Sequence, residues 1–363
     1  LIFNTMILKR VFMIAALAVF FASCSNDDDQ RDVDDLPLGA YDNGVLILNQ
    51  GNFGQDNSSI SYLSNDFSTF QESAFSSVNP TKVLGNTAQD IGFYNDFAFV
   101  VLNASNKIEI VNRYTLESIA TIQSGLDNPR YIAFANGKGY VTNWGDGGVT
   151  SDDYVAVLNL SNYTISGTIP VDEGPERIVE NNGNLYVAHQ GGYGYGNTIS
   201  VINATSNSVS TTIPVGDVPN SLQVKNGVLY VMCGGKAAWT QDETLGKLFK
   251  INLSTNTVSS SIDFTTGKHP SNLCIFNDAI YYTQDSDVFS MGLNTSTLPS
   301  NPLFSTFGQG VYGVYSFAVE NNKIYVGDAR DYNSNGKVYI YSLLGNLENQ
   351  YTVGVIPAGF YFN

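Results

Sequence analysis

Aromatic and cationic side chains are concentrated in the segments between the predicted strands, where they could contact a ligand. The candidates are Phe53, Arg130, Trp144, Arg177, His189, Tyr193, Tyr195, Trp239, His269 and Tyr332. Aromatic residues normally serve packing within strands. We therefore expect a binding mouth in which rings stack on a flat apolar ligand, while the arginines and histidines donate hydrogen bonds. Loop aromatics that only pack against one another are the alternative.

Carboxylates in the same segments could provide acid and base groups. They are Asp146, Asp152, Asp153, Glu176, Asp242 and Asp328. Two carboxylates about 5 to 9 Å apart can hydrolyse glycosides, and His189 could act with them. The chain lacks a Gly-x-Ser-x-Gly elbow, a His-Glu-x-x-His motif and a phosphate-binding glycine loop. We expect a protein that is not an enzyme, and a lyase or glycosidase remains an alternative.

Metal and cofactor signals are weak. Asp331, Asn333 and Asn335 copy the start of a calcium-binding loop, but Ser342 stands where that motif needs a bidentate Glu. The two histidines lack further ligands at a fixed spacing. We expect no metal and no cofactor, and we expect Cys233 and Cys274 to be buried free thiols, with a disulfide as the alternative.

The elements that must position these residues form a repeat. Six Asn-led turns separate pairs of short apolar runs, at Asn95-Asp96, Asn136-Gly137, Asn182-Gly183, Asn226-Gly227, Asn277-Asp278 and Asn321-Asn322. An Asn-Gly pair tolerates positive φ and closes a two-residue hairpin. Units led by Pro129, Pro175, Pro219 and Pro270 recur about every 44 to 51 residues, the period of a four-stranded propeller blade.

Counting the units gives an all-β, seven-bladed β-propeller over residues 44–363. The earliest unit lacks its innermost strand, and residues 357–362 read as a strand without a unit. We predict that this strand pairs with the first blade and closes the ring. A barrel or sandwich is the rival fold. In such a ring the long second-to-third strand loops share one face, where function is expected.

The chain carries 17 Lys+Arg against 33 Asp+Glu, a formal net charge of −16. Such a charge repels phosphate backbones, so nucleic acid is not an expected partner.

Residues 1–24 read as a lipoprotein signal peptide. Lys9 and Arg10 precede an apolar run too short to span a bilayer, which ends at Ala22-Ser23-Cys24. We predict lipidation at Cys24, a flexible acidic tether over residues 25–43, and membrane contact through the lipid anchor only. A soluble periplasmic protein is the alternative.

Short motifs resemble known propellers. Tyr140-Val141-Thr142-Asn143 and the Thr-Ile-Pro-Val turns at 168–171 and 212–215 resemble the YVTN-type propellers of surface-layer and YncE-like proteins. Four further segments, 49–53, 128–132, 328–332 and 351–357, resemble surface lipoproteins of Bacteroidetes in the DUF5074 group. The acidic run after Cys24 resembles the surface-export signal of Bacteroidetes lipoproteins.

The DUF5074 group includes the cobalamin-capturing BtuG. The resemblance implies an outer membrane lipoprotein on the extracellular face, as a monomer or in complex with a TonB-dependent transporter. It would capture a small-molecule nutrient, with a corrinoid (cobalamin) as the leading candidate. An adhesion or surface-layer scaffold that recognises other proteins is a further alternative.

Overall fold

Seven sheets of four antiparallel strands make up the fold and form the blades of a β-propeller. The computed structural model describes residues 37–363, of which Leu38–Asn363 form one compact unit. The predicted seven-bladed architecture is confirmed. The predicted signal peptide, Cys24 and most of the tether lie outside the described residues, and those assignments stay predictions. Within residues 37–363 we find no helix that has both the length and the apolar character to cross a bilayer.

Blade 1 combines strands from two distant parts of the chain. These strands are β1 (Gly44–Asn49), β2 (Ser59–Ser64), β3 (Phe70–Gln71) and β28 (Pro357–Phe362). β28 is innermost and runs antiparallel to β1, with Val45 opposite Phe362 and Leu48 opposite Gly359. The predicted closure of the ring by residues 357–362 is therefore confirmed.

Each of the other blades is continuous in sequence. Blade 2 contains β4 (Ala88–Tyr94), β5 (Phe97–Leu102), β6 (Lys107–Asn112) and β7 (Ser118–Ile122). Blade 3 contains β8 (Pro129–Ala135), β9 (Lys138–Asn143), β10 (Tyr154–Asn159) and β11 (Thr164–Pro170). Blade 4 contains β12 (Pro175–Asn181), β13 (Asn184–His189), β14 (Thr198–Asn203) and β15 (Ser208–Pro214).

The remaining blades follow the same order. Blade 5 contains β16 (Pro219–Lys225), β17 (Val228–Cys233), β18 (Lys247–Asn252) and β19 (Thr257–Asp263). Blade 6 contains β20 (Ser271–Phe276), β21 (Ala279–Gln284), β22 (Asp287–Gly292) and β23 (Phe304–Ser305). Blade 7 contains β24 (Ser316–Glu320), β25 (Lys323–Asp328), β26 (Asn335–Ser342) and β27 (Leu347–Val355). A short helix, α1 (Ala74–Val78), links blades 1 and 2, and 3₁₀ turns lie at Ala238–Thr240 and Phe307–Gln309.

The Asn-led turns join the first two strands of blades 2 to 7. The leading asparagine of each of these turns has a φ between 49° and 53°. Asparagine tolerates this left-handed conformation better than most residues. The turns therefore fix the hairpin register from which the blade repeat is built.

Apolar side chains fill the space between adjacent blades. Tyr140 of blade 3 packs with Leu185 and Val187 of blade 4, and Tyr186 of blade 4 packs with Leu229 of blade 5. Both tyrosines are fully buried, yet their hydroxyls have hydrogen-bond partners. The Tyr140 hydroxyl, for example, lies 3.0 Å from the carbonyl of Ala204. The rings thus contribute apolar contact area without leaving a buried donor unsatisfied.

Candidate functional site

The two faces of the ring differ in the segments that they carry. We call the loop face the side with the second-to-third strand loops and the links between blades. We call the hairpin face the side with the Asn-led turns. The loops of blades 1, 3, 4, 5 and 7 on the loop face are long, since they span residues 50–58, 144–153, 190–197, 234–246 and 329–334. A rigid ring therefore presents its irregular segments on one side.

Every strongly exposed aromatic side chain among residues 37–363 lies on the loop face. These side chains are Phe53, Tyr193, Tyr195, Trp239, Phe307, Tyr312 and Tyr332. The exposed fraction is 82% for Phe53 and 79% for Trp239. The large apolar residue that is most exposed on the hairpin face is aliphatic, Leu344. Exposed rings gathered on one face are typical of a surface that contacts another molecule.

A cavity of about 560 Å³ opens on the loop face at blade 7. The link from blade 6 to blade 7 and the loop of blade 7 form its walls. We call it the blade 7 pocket, and its lining includes Gln309, Tyr312, Asp328, Arg330, Asp331, Tyr332, Lys337 and Tyr339.

The blade 7 pocket combines rings with charged groups. Lys337 stands opposite Asp328 in the β25–β26 ladder, and its ammonium has no hydrogen-bond acceptor among the described residues. Burial raises the pKa of Asp328, and the nearby cations oppose this effect. The Asp328 carboxylate accepts a 2.8 Å hydrogen bond from the backbone of Arg330. Lys337 is thus a cation that remains available to an anionic or carbonyl group of a ligand.

The backbone of the blade 7 loop has an unusual conformation. Arg330 and Tyr332 have φ values of 52° and 59°, which cost energy for residues other than glycine and concentrate at functional sites. The carbonyl of Tyr332 accepts a 2.9 Å hydrogen bond from the Asn52 amide of blade 1, and its ring meets Tyr315 edge to face at 5.8 Å. The loop is therefore held in place from both sides.

A second group of side chains surrounds Trp144. Arg130 forms two 2.8 Å hydrogen bonds with Glu176, and its guanidinium lies 4.1 Å from the Trp144 ring centre. The Trp144 indole donates to the carbonyl of Pro175 at 3.1 Å, and Tyr193 contacts the ring edge. The Trp144 indole and two of the Arg130 donors thus bind groups within the protein, and Tyr193 is the exposed member of the group.

The histidines occupy different environments. His189 is only 1% exposed, its Nε2 lies 2.9 Å from the Ser200 hydroxyl, and burial lowers its pKa. It therefore cannot donate to a ligand at the surface, contrary to the role expected from the sequence. His269 is partly exposed on the loop face, with its Nδ1 at 2.8 Å from the carbonyl of Gly234 and its Nε2 at 3.5 Å from Glu243.

The calcium-like segment is a self-contained turn. The Asp331 carboxylate accepts backbone hydrogen bonds from Asn333 at 3.0 Å and Ser334 at 2.7 Å. These bonds lower the pKa of Asp331 to about 2. The side chain thus acts as an Asx turn. In the part of the chain that the structure describes, no cluster of three or more His, Cys, Asp and Glu side chains could hold a metal.

Cys233 and Cys274 are free and buried, as the sequence predicted. Arg177 is partly buried and contacts Tyr131, with its guanidinium 4.2 Å from the ring centre.

Part of the blade 7 pocket was not predicted from the sequence. Tyr312 and Gln309 lie in a blade-to-blade link, and Lys337 lies in a strand, whereas ligand contacts were expected in the second-to-third strand loops. The aromatic content of the link, with Phe307, Tyr312 and Tyr315, was the available signal.

A profile of a protein family described as a domain of unknown function (DUF5074) matches residues 43–326. The chain belongs to this family. Comparison with curated protein sequences gives no match. Neither the family description nor the geometry of the loop face indicates a catalytic role.

Solved propellers share the fold at low identity. A quinonprotein alcohol dehydrogenase-like protein from Bacteroides thetaiotaomicron is 12% identical, with a TM-score of 0.65 over 89% of this chain and 78% of that chain. A functionally unknown protein from Desulfotomaculum acetoxidans is 12% identical, with a TM-score of 0.62 over 88% and 98%. Hydrazine synthase from Kuenenia stuttgartiensis is 14% identical, with a TM-score of 0.55 over 77% and 92%. At these identities the similarity shows the fold alone.

Proposed function

We propose that this member of the DUF5074 family is a binding protein that captures a small molecule on its loop face. The observation that carries the proposal is the position of the blade 7 pocket, which lies on the face where the strongly exposed aromatic side chains of residues 37–363 are found. Exposed rings and an available cation suit a ligand with a broad apolar surface and polar edges.

A corrinoid is our leading candidate for the ligand. The sequence resemblance to surface lipoproteins of Bacteroidetes supports this choice. The geometry is compatible because a flat macrocycle can lie across exposed rings such as Tyr312 and Tyr332 while an amide or phosphate group reaches Lys337. A cavity of about 560 Å³ would hold part of such a ligand, and the surrounding rings would cover more of it.

We further propose delivery of the ligand to a TonB-dependent transporter by a lipoprotein anchored through Cys24 on the outside of the outer membrane. The lipobox-like sequence supports this address. Metabolic labelling with a palmitate analogue should label the wild-type chain and not Cys24→Ala. Protease added to intact cells should degrade the labelled protein, and protection of the protein in intact cells would contradict surface exposure.

Calorimetric titration with cyanocobalamin tests the ligand. We expect saturable heat with the wild type and affinity at least tenfold weaker in Tyr312→Ser and Tyr332→Ser, because each loses a stacking ring. Leu344→Ser on the hairpin face is the matched control and should bind as the wild type does. Absence of both heat and thermal stabilisation at high ligand concentration would remove the corrinoid proposal.

The enzyme alternative has little geometric support. Burial raises the pKa of Asp153 to about 6, as in a general acid, but the cavity beside it has a volume of only about 10 Å³. The surrounding loop therefore leaves no room for a sugar ring next to this carboxyl.

A further inference from the structure

The central channel of the ring contains a second cavity, separate from the blade 7 pocket. Its volume is about 320 Å³, and its lining includes Arg177, Gln223, Asn272, Phe317, Glu320 and Phe360. Glu320 pairs with Lys323 beside the Asn321-Asn322 turn, so this cavity extends to the hairpin face. A smaller space of about 100 Å³ continues from it and shares Arg177 as a lining residue.

Arg177 lies at the inner end of the channel cavity. Its guanidinium lies 4.2 Å from the centre of the Tyr131 ring, and no described residue accepts a hydrogen bond from it. Arg130, on the innermost strand of the neighbouring blade, donates two hydrogen bonds to Glu176. A guanidinium has five N–H donors in a fixed plane. Arg177 therefore presents an unused, forked set of donors inside a cavity.

The nearby negative charge does not use these donors. Asp90 is buried, and its two oxygens accept hydrogen bonds from the Ile132 backbone and the Tyr361 hydroxyl, both at 3.0 Å. Burial raises the pKa of Asp90, and the Ile132 hydrogen bond and the charge of Arg177 oppose this effect. No Asp90 oxygen lies within salt-bridge distance of Arg177. The carboxylate thus balances the charge of Arg177 at a distance and leaves its hydrogen-bonding capacity open.

The channel walls are polar at the backbone. The innermost strand of each blade pairs only on its outer side, so its other edge faces the channel with unpaired N–H and C=O groups. A small, hydrated ligand is favoured over an apolar one in such a space.

We propose that the central channel binds a small oxyanion that carries a carboxylate or phosphate group. The Arg177 guanidinium is the forked donor to this group, and the ligand enters the channel from the hairpin face. Arginine recognises both groups through two parallel N–H···O bonds. This site is independent of the loop face and would operate whether or not that face captures a small molecule.

Thermal unfolding and calorimetry in sodium acetate, sodium phosphate and sodium chloride at equal ionic strength test the proposal. We expect a saturable rise in Tm and saturable heat with acetate or phosphate beyond the effect of chloride. A response to acetate alone identifies a carboxylate ligand, and a response to phosphate alone identifies a phosphate ligand. The same response in all three salts would overturn the proposal.

The variant must preserve the charge balance of the buried cluster. Arg177→Met alone would leave Asp90 without a countercharge, so the double variant Arg177→Met/Asp90→Asn is used, and we expect its affinity for the anion to fall at least tenfold. Lys268→Gln, which removes an exposed cation in the link between blades 5 and 6, is the matched control and should retain binding. Equal affinity in the double variant and the wild type would overturn the proposal.

A more conservative variant keeps the test valid if the double variant does not fold. Arg177→Lys preserves the charge but not the forked donor pair, so its affinity should fall at least threefold, and unchanged affinity would contradict the assigned role. Cyanocobalamin titration of these variants separates this proposal from the capture of a ligand on the loop face, because Tyr312 and Tyr332 are intact in all of them.

Discussion

Burial alters the chemistry of single carboxylates in this propeller. Asp153 is 4% exposed, and its oxygen accepts a 3.1 Å hydrogen bond from the backbone of Gly174. Burial raises its pKa to about 6, with Asp152 and Glu173 adding to the effect. The charged form is therefore disfavoured in the folded protein relative to the unfolded chain.

Asp153→Asn should stabilise the protein at neutral pH and have little effect in acid. The folded-state pKa lies above the unfolded value, so the wild type loses stability as the pH rises from below 4 through about 6. We expect the variant to gain about 1 kcal/mol at about pH 7.5 and to match the wild type at about pH 3, below the unfolded-state pKa. Urea denaturation at both values measures this. An equal difference in unfolding free energy between variant and wild type at both pH values would contradict this prediction. Asp96→Asn, at an exposed position, is the control.

The two buried thiols should be inert in the folded protein. Burial raises the pKa of Cys233 to about 12 and that of Cys274 to about 11, and thiolate is the reactive species. N-ethylmaleimide should therefore modify neither residue in native buffer and both in urea, as measured by peptide mass spectrometry. Modification of either in native buffer would show an open route to the thiol, and a disulfide-linked peptide would contradict the free state.

Residue type predicted which aromatic rings are exposed better than it predicted which arginine and histidine side chains are free to donate hydrogen bonds. Phe53 and Trp239 lie in loops without a neighbouring strand to cover them, and both are exposed as expected. His189 ends β13, where its orientation depends on blade packing rather than on its own chemistry. Arg130 and Arg177 are similar in sequence context, yet among the described residues Arg130 has a carboxylate partner and Arg177 has none. This difference arises from contacts between blades that a single sequence does not encode locally.

At the scale of elements, β28 connects the closure of the ring to the central channel. Its residue Tyr361 donates to Asp90 of blade 2, while Phe360 and Phe362 pack with Tyr325 of blade 7. One strand thus contacts both neighbouring blades. The sequence predicted this strand because it was left over from the repeat, although the partner of the Tyr361 hydroxyl could not be predicted.

Tyr361→Phe should destabilise the protein by about 1 to 3 kcal/mol, since it leaves a buried carboxylate oxygen without its donor. The midpoint of urea unfolding measures the change. Tyr351→Phe is the control, because its hydroxyl is 3.5 Å from the Phe67 carbonyl and should contribute little. Equal effects of the two substitutions would show that the Asp90 contact has no special weight.

Removal of residues 357–363 should abolish cooperative folding. The deletion exposes the inner edge of β1 and uncovers part of the apolar core of blades 1 and 7, and an open strand edge promotes aggregation. We expect loss of the sharp thermal transition and of the monomer peak in gel filtration. A truncated monomer with the Tm of the full chain would contradict the importance of the closure.

At the scale of the whole molecule, the asymmetry between faces follows from the repeat. Short Asn-led turns recur on the hairpin face because they set the register, whereas loop lengths on the other face are free to vary. The sequence therefore predicted the fold and the side of the ring that carries the long loops, but not the blade 7 pocket. The walls of that pocket come from a link and a loop that meet only in the assembled ring.

Hydrogen exchange can locate the binding face. If a corrinoid binds as proposed, it should slow amide exchange in residues 307–313 and 329–335 and leave the turn at Asn136-Gly137 unchanged. Mass spectrometry of the protein with and without cyanocobalamin measures this. Slower amide exchange on the hairpin face instead would contradict binding of the corrinoid at the loop face.

Because β28 belongs to blade 1, the ring remains an arc with an uncovered edge until residues 357–362 are available to the first blade. The native ring can therefore be completed only after the last strand of the chain has been synthesised.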